Sequence, residues 1–262
     1  MELSTIAYEV RDSVAHVLLN RPEGANAVNP ALAKDLKDVV LEIEFDDAVK
    51  AVSVTAAGKV FCAGGDLKEF HSAGSDLPKL AADMLVDFHG AIYHMNRIPK
   101  PFIAGVRGSA GGAGLSLMSA FDLAVCGESS KFTMAYTRAG VTPDGTSTYF
   151  LARHIGVRRM LDLTLTNRVL SAQEAEAWGL VNRVVPDDEV DNATAELAAQ
   201  LAAGPSWALG HAKRIVYTGY DSSLEAAGEA EGALISTAMG RHDGQEGIAA
   251  FVGKRAPNFT GE

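Results

Sequence analysis

Cysteine is scarce in this chain. Cys62 and Cys126 are the two in 262 residues, and no Cys-x-x-Cys pair occurs, which excludes a disulfide-built scaffold and a cysteine zinc site and fits a reducing compartment. Positive charge is also short: 23 Lys and Arg stand against 33 Asp and Glu, a formal net charge of −10. That balance opposes sequence-independent binding to nucleic acid or to an anionic membrane, so an anionic ligand needs a local cationic site. No apolar run approaches the ~18 residues that span a bilayer, and Met1-Glu2-Leu3-Ser4 lacks a basic patch followed by an apolar stretch. The expectation is a cytoplasmic protein with neither a nucleic-acid nor a membrane partner. Low-complexity blocks and Pro/Ser-rich linkers are absent as well, so nothing in the composition divides the chain sharply.

What is present is enough to build a large core. The chain is 47% hydrophobic and 21% charged, sized for one large domain or a core with a helical appendage. Thr5–Val10 and Val14–Leu19 are apolar-rich runs separated by Arg11-Asp12-Ser13, the pattern of a strand hairpin. Asn29-Pro30 opens a helix with a capping residue and a proline at the first position, and Leu32, Leu36, Val39, Val40 and Ile43 follow at helical spacing. Ala51–Thr55 and Pro101–Val106 read as buried strands. Each leads through a glycine loop, 58–66 and 108–114, into a helix, placed at Leu67 onward and at Leu115–Phe121. Ser171-Ala172-Gln173-Glu174 has capping-box spacing and Gly179 marks a helix stop. From about residue 185 the pattern is almost purely helical. Two similar strand, loop and helix units followed by helices predict a layered β/α core, residues 1–195, and a C-terminal helical region, residues 196–262.

The glycine loops carry the chemistry. Small residues between a buried strand and a helix start leave backbone N–H groups uncovered, which makes an anion or oxyanion site, although glycines also serve tight turns and close packing. Nucleotide motifs do not fit: Gly112-x-Gly114 continues as Leu115-Ser116-Leu117, without a third glycine, and no Gly-Lys-Ser/Thr follows. Ser116 is not in a Gly-x-Ser-x-Gly elbow, which argues against a serine hydrolase. His89 and His94 do not share a helix face, so no metal site is expected.

Val60-Phe61-Cys62-Ala63-Gly64-Gly65-Asp66-Leu67 and Lys100-Pro101-Phe102-Ile103-Ala104-Gly105-Val106-Arg107-Gly108 through Gly114 resemble the two signature segments of the enoyl-CoA hydratase/isomerase, or crotonase, superfamily. The likeness runs from Asn20-Arg21-Pro22 to Lys254-Arg255. It implies an α/β fold, a spiral of β-β-α repeats with a C-terminal helical trimerisation region. It also implies an acyl-CoA thioester as substrate with no separate cofactor, and a homotrimer or dimer of trimers. By the same resemblance Gly65 and Ala113 supply the two oxyanion-hole N–H groups, with Ala113 standing where many relatives have glycine. Gly24, Ala25, Ala63, Asp66 and Leu67 match coenzyme A-binding regions, and Lys254 is a candidate phosphate contact or a solvated charge.

The resemblance also separates chemistries. The two glutamates of the superfamily's hydratases align with Ser116 and Tyr136, neither of which can act as a carboxylate base. Asp144, in Gly140-Val141-Thr142-Pro143-Asp144-Gly145, matches the catalytic aspartate of several superfamily isomerases, although Pro-Asp-Gly is also a common turn. The expectation is a 3-enoyl-CoA to 2-enoyl-CoA isomerase in which Asp144 moves a proton. Alternatives are a 2-enoyl-CoA hydratase, an enzyme like 4-chlorobenzoyl-CoA dehalogenase using Asp144 and His89 beside aromatic Tyr136, and a non-catalytic CoA-binding protein. His89 also reads as an ordinary packing residue on a helix. Cys62, Leu117, Met118 and Met134 read as core.

Overall fold

A computed structural model describes all of residues 1–262. The N-terminal hairpin forms as predicted: β1 (Ile6–Arg11) and β2 (Val14–Leu19) pair antiparallel, turning through Asp12 and Ser13, both at positive φ. Helix α1 (Pro30–Phe45) is capped by Asn29, whose side-chain oxygen accepts from the Leu32 N–H at 2.9 Å, and it buries the predicted face of Leu32, Leu36, Val39, Val40 and Ile43. After it come β3 (Ala51–Ala56), α2 (Leu67–Ala73) and the long α3 (Leu77–Arg97), followed by β4 (Phe102–Val106), β5 (Ser109–Gly111) and α4 (Ala113–Ser119). Next are β6 (Leu123–Gly127), β7 (Lys131–Thr133), α5 (Ser147–Ile155) and α6 (Val157–Thr166), then β8 (Leu170–Ser171), α7 (Ala172–Trp178) and β9 (Arg183–Val185). The Ser171–Glu174 capping box starts α7, and left-handed Gly179 ends it.

Six strands form one sheet in the order β1-β2-β3-β4-β6-β9, parallel from β2 onward, and three form a second in the order β5-β7-β8. The chain alternates between them. Strand β4 hands over to β5 through Gly108, whose φ of +73° and whose missing side chain are both required, since a Cβ there would lie 1.9 Å from the Lys59 carbonyl oxygen. Strand β6 leads through Glu128–Ser130 to β7, which pairs with β5, and β3 leads to Cys62, which bridges in parallel to Ala110 of β5. The β4 and β6 turns thus each add one strand to each sheet and return by helix, the β-β-α spiral, while the β3 turn adds a single bridge to the second sheet.

The C-terminal helices are α8 (Val190–Ala202), α9 (Ser206–Gly219), α10 (Leu224–Gly240) and α11 (His242–Val252). The expected boundary at 195/196 falls inside α8, which buries Val190, Ala193, Ala198 and Ala202 and belongs to the packed core. Helix α9 is fastened by Lys213, whose ammonium lies 2.8 Å from Asp122 and donates to the carbonyls of Met95 and Lys100 at 2.6 and 3.0 Å. Burial pushes the Asp122 carboxyl up and the Lys213 amine down, and the attraction between them opposes both shifts. By contrast, α10 buries none of its residues, and Leu224, Ile235, Met239, Phe251 and Val252 of α10 and α11 stand exposed. No helix is long and apolar enough to cross a membrane.

Candidate active site

The spiral sets the two glycine loops side by side because they occupy equivalent positions in consecutive turns. The Gly111 N–H donates to the Cys62 carbonyl at 3.0 Å and the Cys62 N–H to Ser109 at 3.2 Å. Close approach is built in: a Cβ on Gly114 would lie 2.3 Å from the Cys62 oxygen, and one on Gly64 3.1 Å from that of Gly111. Each candidate donor follows a glycine of positive φ, Gly64 at +121° and Gly112 at +47°. Those glycines turn the next peptide, so that the N–H groups of Gly65 and Ala113 find no acceptor in the chain. Ala113 is the first residue of α4, where the N–H is unpaired by construction and the helix dipole adds positive potential. Ala113 is not among the positive-φ residues, so alanine serves there as well as glycine. The helix begins at Ala113 rather than at Leu115, as the sequence pattern had placed it, because positive-φ Gly112 makes the turn into it.

Asp144 comes from a different part of the fold. It sits in the loop before α5, with Gly145 and Thr146 both in positive φ at +63° and +60°. The loop is pressed against α3 and α4, for a Cβ on Gly145 would lie 2.9 Å from both Phe88 and Ser116. The Asp144 carboxylate meets His89 of α3, with Oδ1 3.0 Å from Nε2, and their side chains are 33% and 26% exposed. His89 is therefore no ordinary packing residue. Only Oδ1 is engaged by the imidazole, and no hydrogen bond within the chain occupies Oδ2.

The two positions aligned with hydratase glutamates also come together. Ser116 Oγ and Tyr136 Oη lie 2.9 Å apart, and the Tyr136 hydroxyl donates to the Asp144 backbone carbonyl at 3.2 Å. Burial first, then the nearby Asp144 charge, raises the Tyr136 phenol above its ordinary value, so it stays a neutral donor. The hydroxyl pair ties the Asp144 loop to α4.

The segments expected to hold coenzyme A also adjoin. The Ala63 N–H donates to the Ala25 carbonyl at 3.0 Å, just beyond Gly24, and Ala25 and Asn26 are left-handed. Asp66 is engaged within the chain: it accepts from Arg21 at 2.6 Å and from the N–H groups of Lys68 and Glu69 at 3.2 Å, capping α2, whereas Leu67 beside it is exposed. Sequence reasoning missed this use of Arg21, for nothing in the spacing links residues 21 and 66. Phe70, also missed, lies over Gly65, its ring 2.6 Å from where a Cβ would be. Lys254 lies beyond α11 at positive φ, and no hydrogen bond joins it to these loops. Cys62, Leu117, Met118 and Met134 are buried, and burial pushes the Cys62 thiol up to about 11.

With this geometry in view, comparison with known proteins decides the family. The enoyl-CoA hydratase/isomerase family model matches residues 9–262. The chain belongs to the enoyl-CoA hydratase/isomerase family. Among similar proteins, a 1,2-epoxyphenylacetyl-CoA isomerase of Escherichia coli (strain K12) is 32% identical over 98% of this chain and 98% of its own. A 4-chlorobenzoyl coenzyme A dehalogenase-2 of Arthrobacter sp. is 34% identical, covering 95% of this chain and 91% of its own. The crystal structure of an enoyl-CoA hydratase from Polaromonas sp. JS666 superposes with a TM-score of 0.93 at 30% identity, covering 97% of this chain and 99% of that one. The crotonase fold and the acyl-CoA chemistry of the family are thereby this chain's, and the relatives' names span three different reactions.

Proposed function

We propose that this enzyme isomerises 3-enoyl-CoA to 2-enoyl-CoA. The observation that carries the proposal is Asp144: a half-exposed carboxylate held by His89, while hydroxyls occupy the two positions aligned with hydratase glutamates. The thioester oxygen sits between the N–H groups of Gly65 and Ala113. The free oxygen of Asp144 takes a proton from C2, and the electron pair passes into the thioester, giving a dienolate whose negative oxygen the two amides hold. Asp144 then returns the proton at C4, so the double bond moves from C3–C4 to C2–C3 and the carboxylate is regenerated. Removing one oxyanion donor typically costs about 10²–10³ in rate, the scale on which both loops matter.

A second reading has one observation in its favour, the direct His89–Asp144 contact. In it a carboxylate oxygen attacks a halogen-bearing aromatic carbon of an aryl-CoA; the C–O bond forms, halide leaves, and water deprotonated by His89 hydrolyses the aryl ester. A panel of 3-enoyl, 2-enoyl, dienoyl and halobenzoyl thioesters separates the readings. Double-bond migration faster than hydration and without halide release supports isomerisation. Halide release with ¹⁸O from water entering Asp144 in a single turnover supports the nucleophile, and fast hydration of 2-enoyl thioesters sinks both. Tight binding without turnover of any thioester would indicate a CoA-binding protein instead.

The exposed apolar faces of α10 and α11 support assembly into a homotrimer or dimer of trimers. Light scattering at micromolar concentration that returned a monomer would remove this.

A further inference from the structure

Both candidate oxyanion donors are held by the same device, and behind one of them stands a cation. In a trans peptide the carbonyl and the N–H point in opposite directions, so anchoring the carbonyl aims the N–H. The Gly112 carbonyl, which shares a peptide with the Ala113 N–H, accepts from the Ser116 N–H at 3.0 Å and from its hydroxyl at 3.2 Å. The Gly64 carbonyl, which shares a peptide with the Gly65 N–H, accepts from the Val28 N–H at 2.7 Å, and the Asp66 N–H donates back to the Val28 carbonyl at 2.9 Å. The Gly65 N–H is thereby turned away from Val28. The chain of bonds continues one peptide further, because the Ala27 carbonyl, in the peptide that carries the Val28 N–H, accepts from Nη1 of Arg21 at 3.1 Å. No peptide bond in the chain is cis. A line of donors therefore runs from the Arg21 guanidinium through the Ala27–Val28 peptide and the Gly64–Gly65 peptide to the free Gly65 N–H.

Arg21 is built into its place. Nη2 donates to Asp66 at 2.6 Å, and the Arg21 N–H donates at 2.8 Å to Asn26, a buried side chain whose amide donates at 2.9 Å to the carbonyls of Ala57 and Val60. The guanidinium lies across Gly24, where a Cβ would come within 2.8 Å of Cζ. With the Arg21 side chain only 22% exposed, its field is screened less than that of a surface charge. The two donors differ in what else lies behind them. Ala113 opens α4 and draws on that helix's dipole, whereas Gly65 precedes α2, whose first amides are taken by the Asp66 carboxylate.

We propose that Arg21 is a positioning residue of the oxyanion hole, aiming and polarising the Gly65 N–H through two hydrogen-bonded peptides. Each amide in such a chain is a better donor when its own carbonyl accepts, and a charged donor at the head strengthens the whole. The bond from Gly65 gains most from that polarisation as negative charge grows on the thioester oxygen, so the effect falls on turnover more than on ground-state binding. The inference rests on the reading that Gly65 and Ala113 hold the thioester oxygen, and not on which reaction follows.

The test reads the thioester carbonyl directly. Hexanoyl-CoA labelled with ¹³C at C1 is bound to the full-length enzyme, and isotope-edited infrared difference spectra give the downshift of its carbonyl stretch relative to the same compound in water. Arg21→Met should reduce that downshift by about a fifth or more, the scale set by about 10–30% strengthening per bond in a hydrogen-bonded chain. Arg21→Gln, which keeps a donor without the charge, should lie between Met and the parent, and Arg21→Lys, which keeps the charge, should recover more than Gln. Turnover of the thioester on which the parent is active should fall in the same order, by about three- to tenfold for Met, short of the loss of a whole donor, while the hexanoyl-CoA dissociation constant moves by less than about threefold. An unmoved carbonyl stretch in variants that bind hexanoyl-CoA makes Arg21 a purely structural residue and overturns the proposal, leaving the oxyanion reading intact. Loss of folding or of binding in all three variants, followed by circular dichroism and calorimetry, assigns Arg21 to the fold or to the ligand and overturns it as well. No downshift in the parent itself removes the oxyanion reading, and the proposal with it.

Discussion

The two glycine loops and the Asp144 loop enter the proposed site by opposite means. The first is built from backbone, with two N–H groups set by positive-φ glycines and locked where Gly114 and Cys62 leave no room for a side chain. The second is built from side chains, with a carboxylate on a strained turn, steadied by His89 from α3 and by Tyr136 through its own backbone. The difference teaches where variation is tolerated. In the first region a side-chain change should matter only where it moves or deletes an amide, and Ala113, which is not at positive φ, keeps its N–H free. In the second region a single atom exchange, at the Asp144 carboxylate, should remove the proposed base.

The sharpest way to test that contrast is Asp144→Asn, which keeps shape and removes basicity. The isomerase rate should fall by about 10²–10⁴ with little change in acyl-CoA affinity, measured by steady-state kinetics and calorimetry. Wild-type turnover would refute the assignment.

Ala113→Pro deletes a donor without touching any side-chain function, since proline is tolerated at the first helical position but carries no N–H. A loss of about 10²–10³ in kcat with native circular dichroism is expected, and an unchanged kcat would show that this amide does not hold the developing charge.

Gly114→Ala leaves both donors in place and pushes the loops apart, because its Cβ would meet the Cys62 carbonyl at 2.3 Å. Overpacking of about 1–3 kcal/mol should appear in denaturant unfolding, together with a lower kcat. Stability and rate both equal to the parent would mean that the spacing of the loops is not critical.

His89→Gln retains an amide donor for Asp144 and so should cost about tenfold or less in isomerisation, a charge-assisted hydrogen bond being exchanged for a poorer one. A collapse as deep as that of Asp144→Asn would favour the nucleophilic reading, which needs an imidazole to activate water.

The smallest effect is expected from Tyr136→Phe, which frees the Asp144 carbonyl from its link to Ser116. A stability loss of about 0.5–1.5 kcal/mol and a modest drop in kcat at unchanged KM are expected; a raised KM alone would place Tyr136 on the substrate and not on the loop.

Much of this molecule is legible in the sequence because the physics is local. The turn of the β1–β2 hairpin, the Asn29 cap, the Ser171 capping box and the Gly179 stop each depend on residues within four or five positions of one another, and each forms as predicted. The glycine motifs identify the family, and their φ requirements mark the two loops as special before any tertiary contact is known. Other features arise only when distant segments meet. His89 and Asp144 are 55 residues apart and Arg21 and Asp66 are 45 apart, with no periodicity to relate either pair. Ser116 and Tyr136 read separately as two missing carboxylates, and only the packing of the Asp144 loop on α4 makes them one hydrogen-bonded pair. The helical tail likewise reads as a single region, yet α8 joins the core and α10 does not. Local propensity fixes where elements start and stop; the β-β-α spiral, by stacking equivalent loops on consecutive turns, decides which backbone donors and side chains share a site.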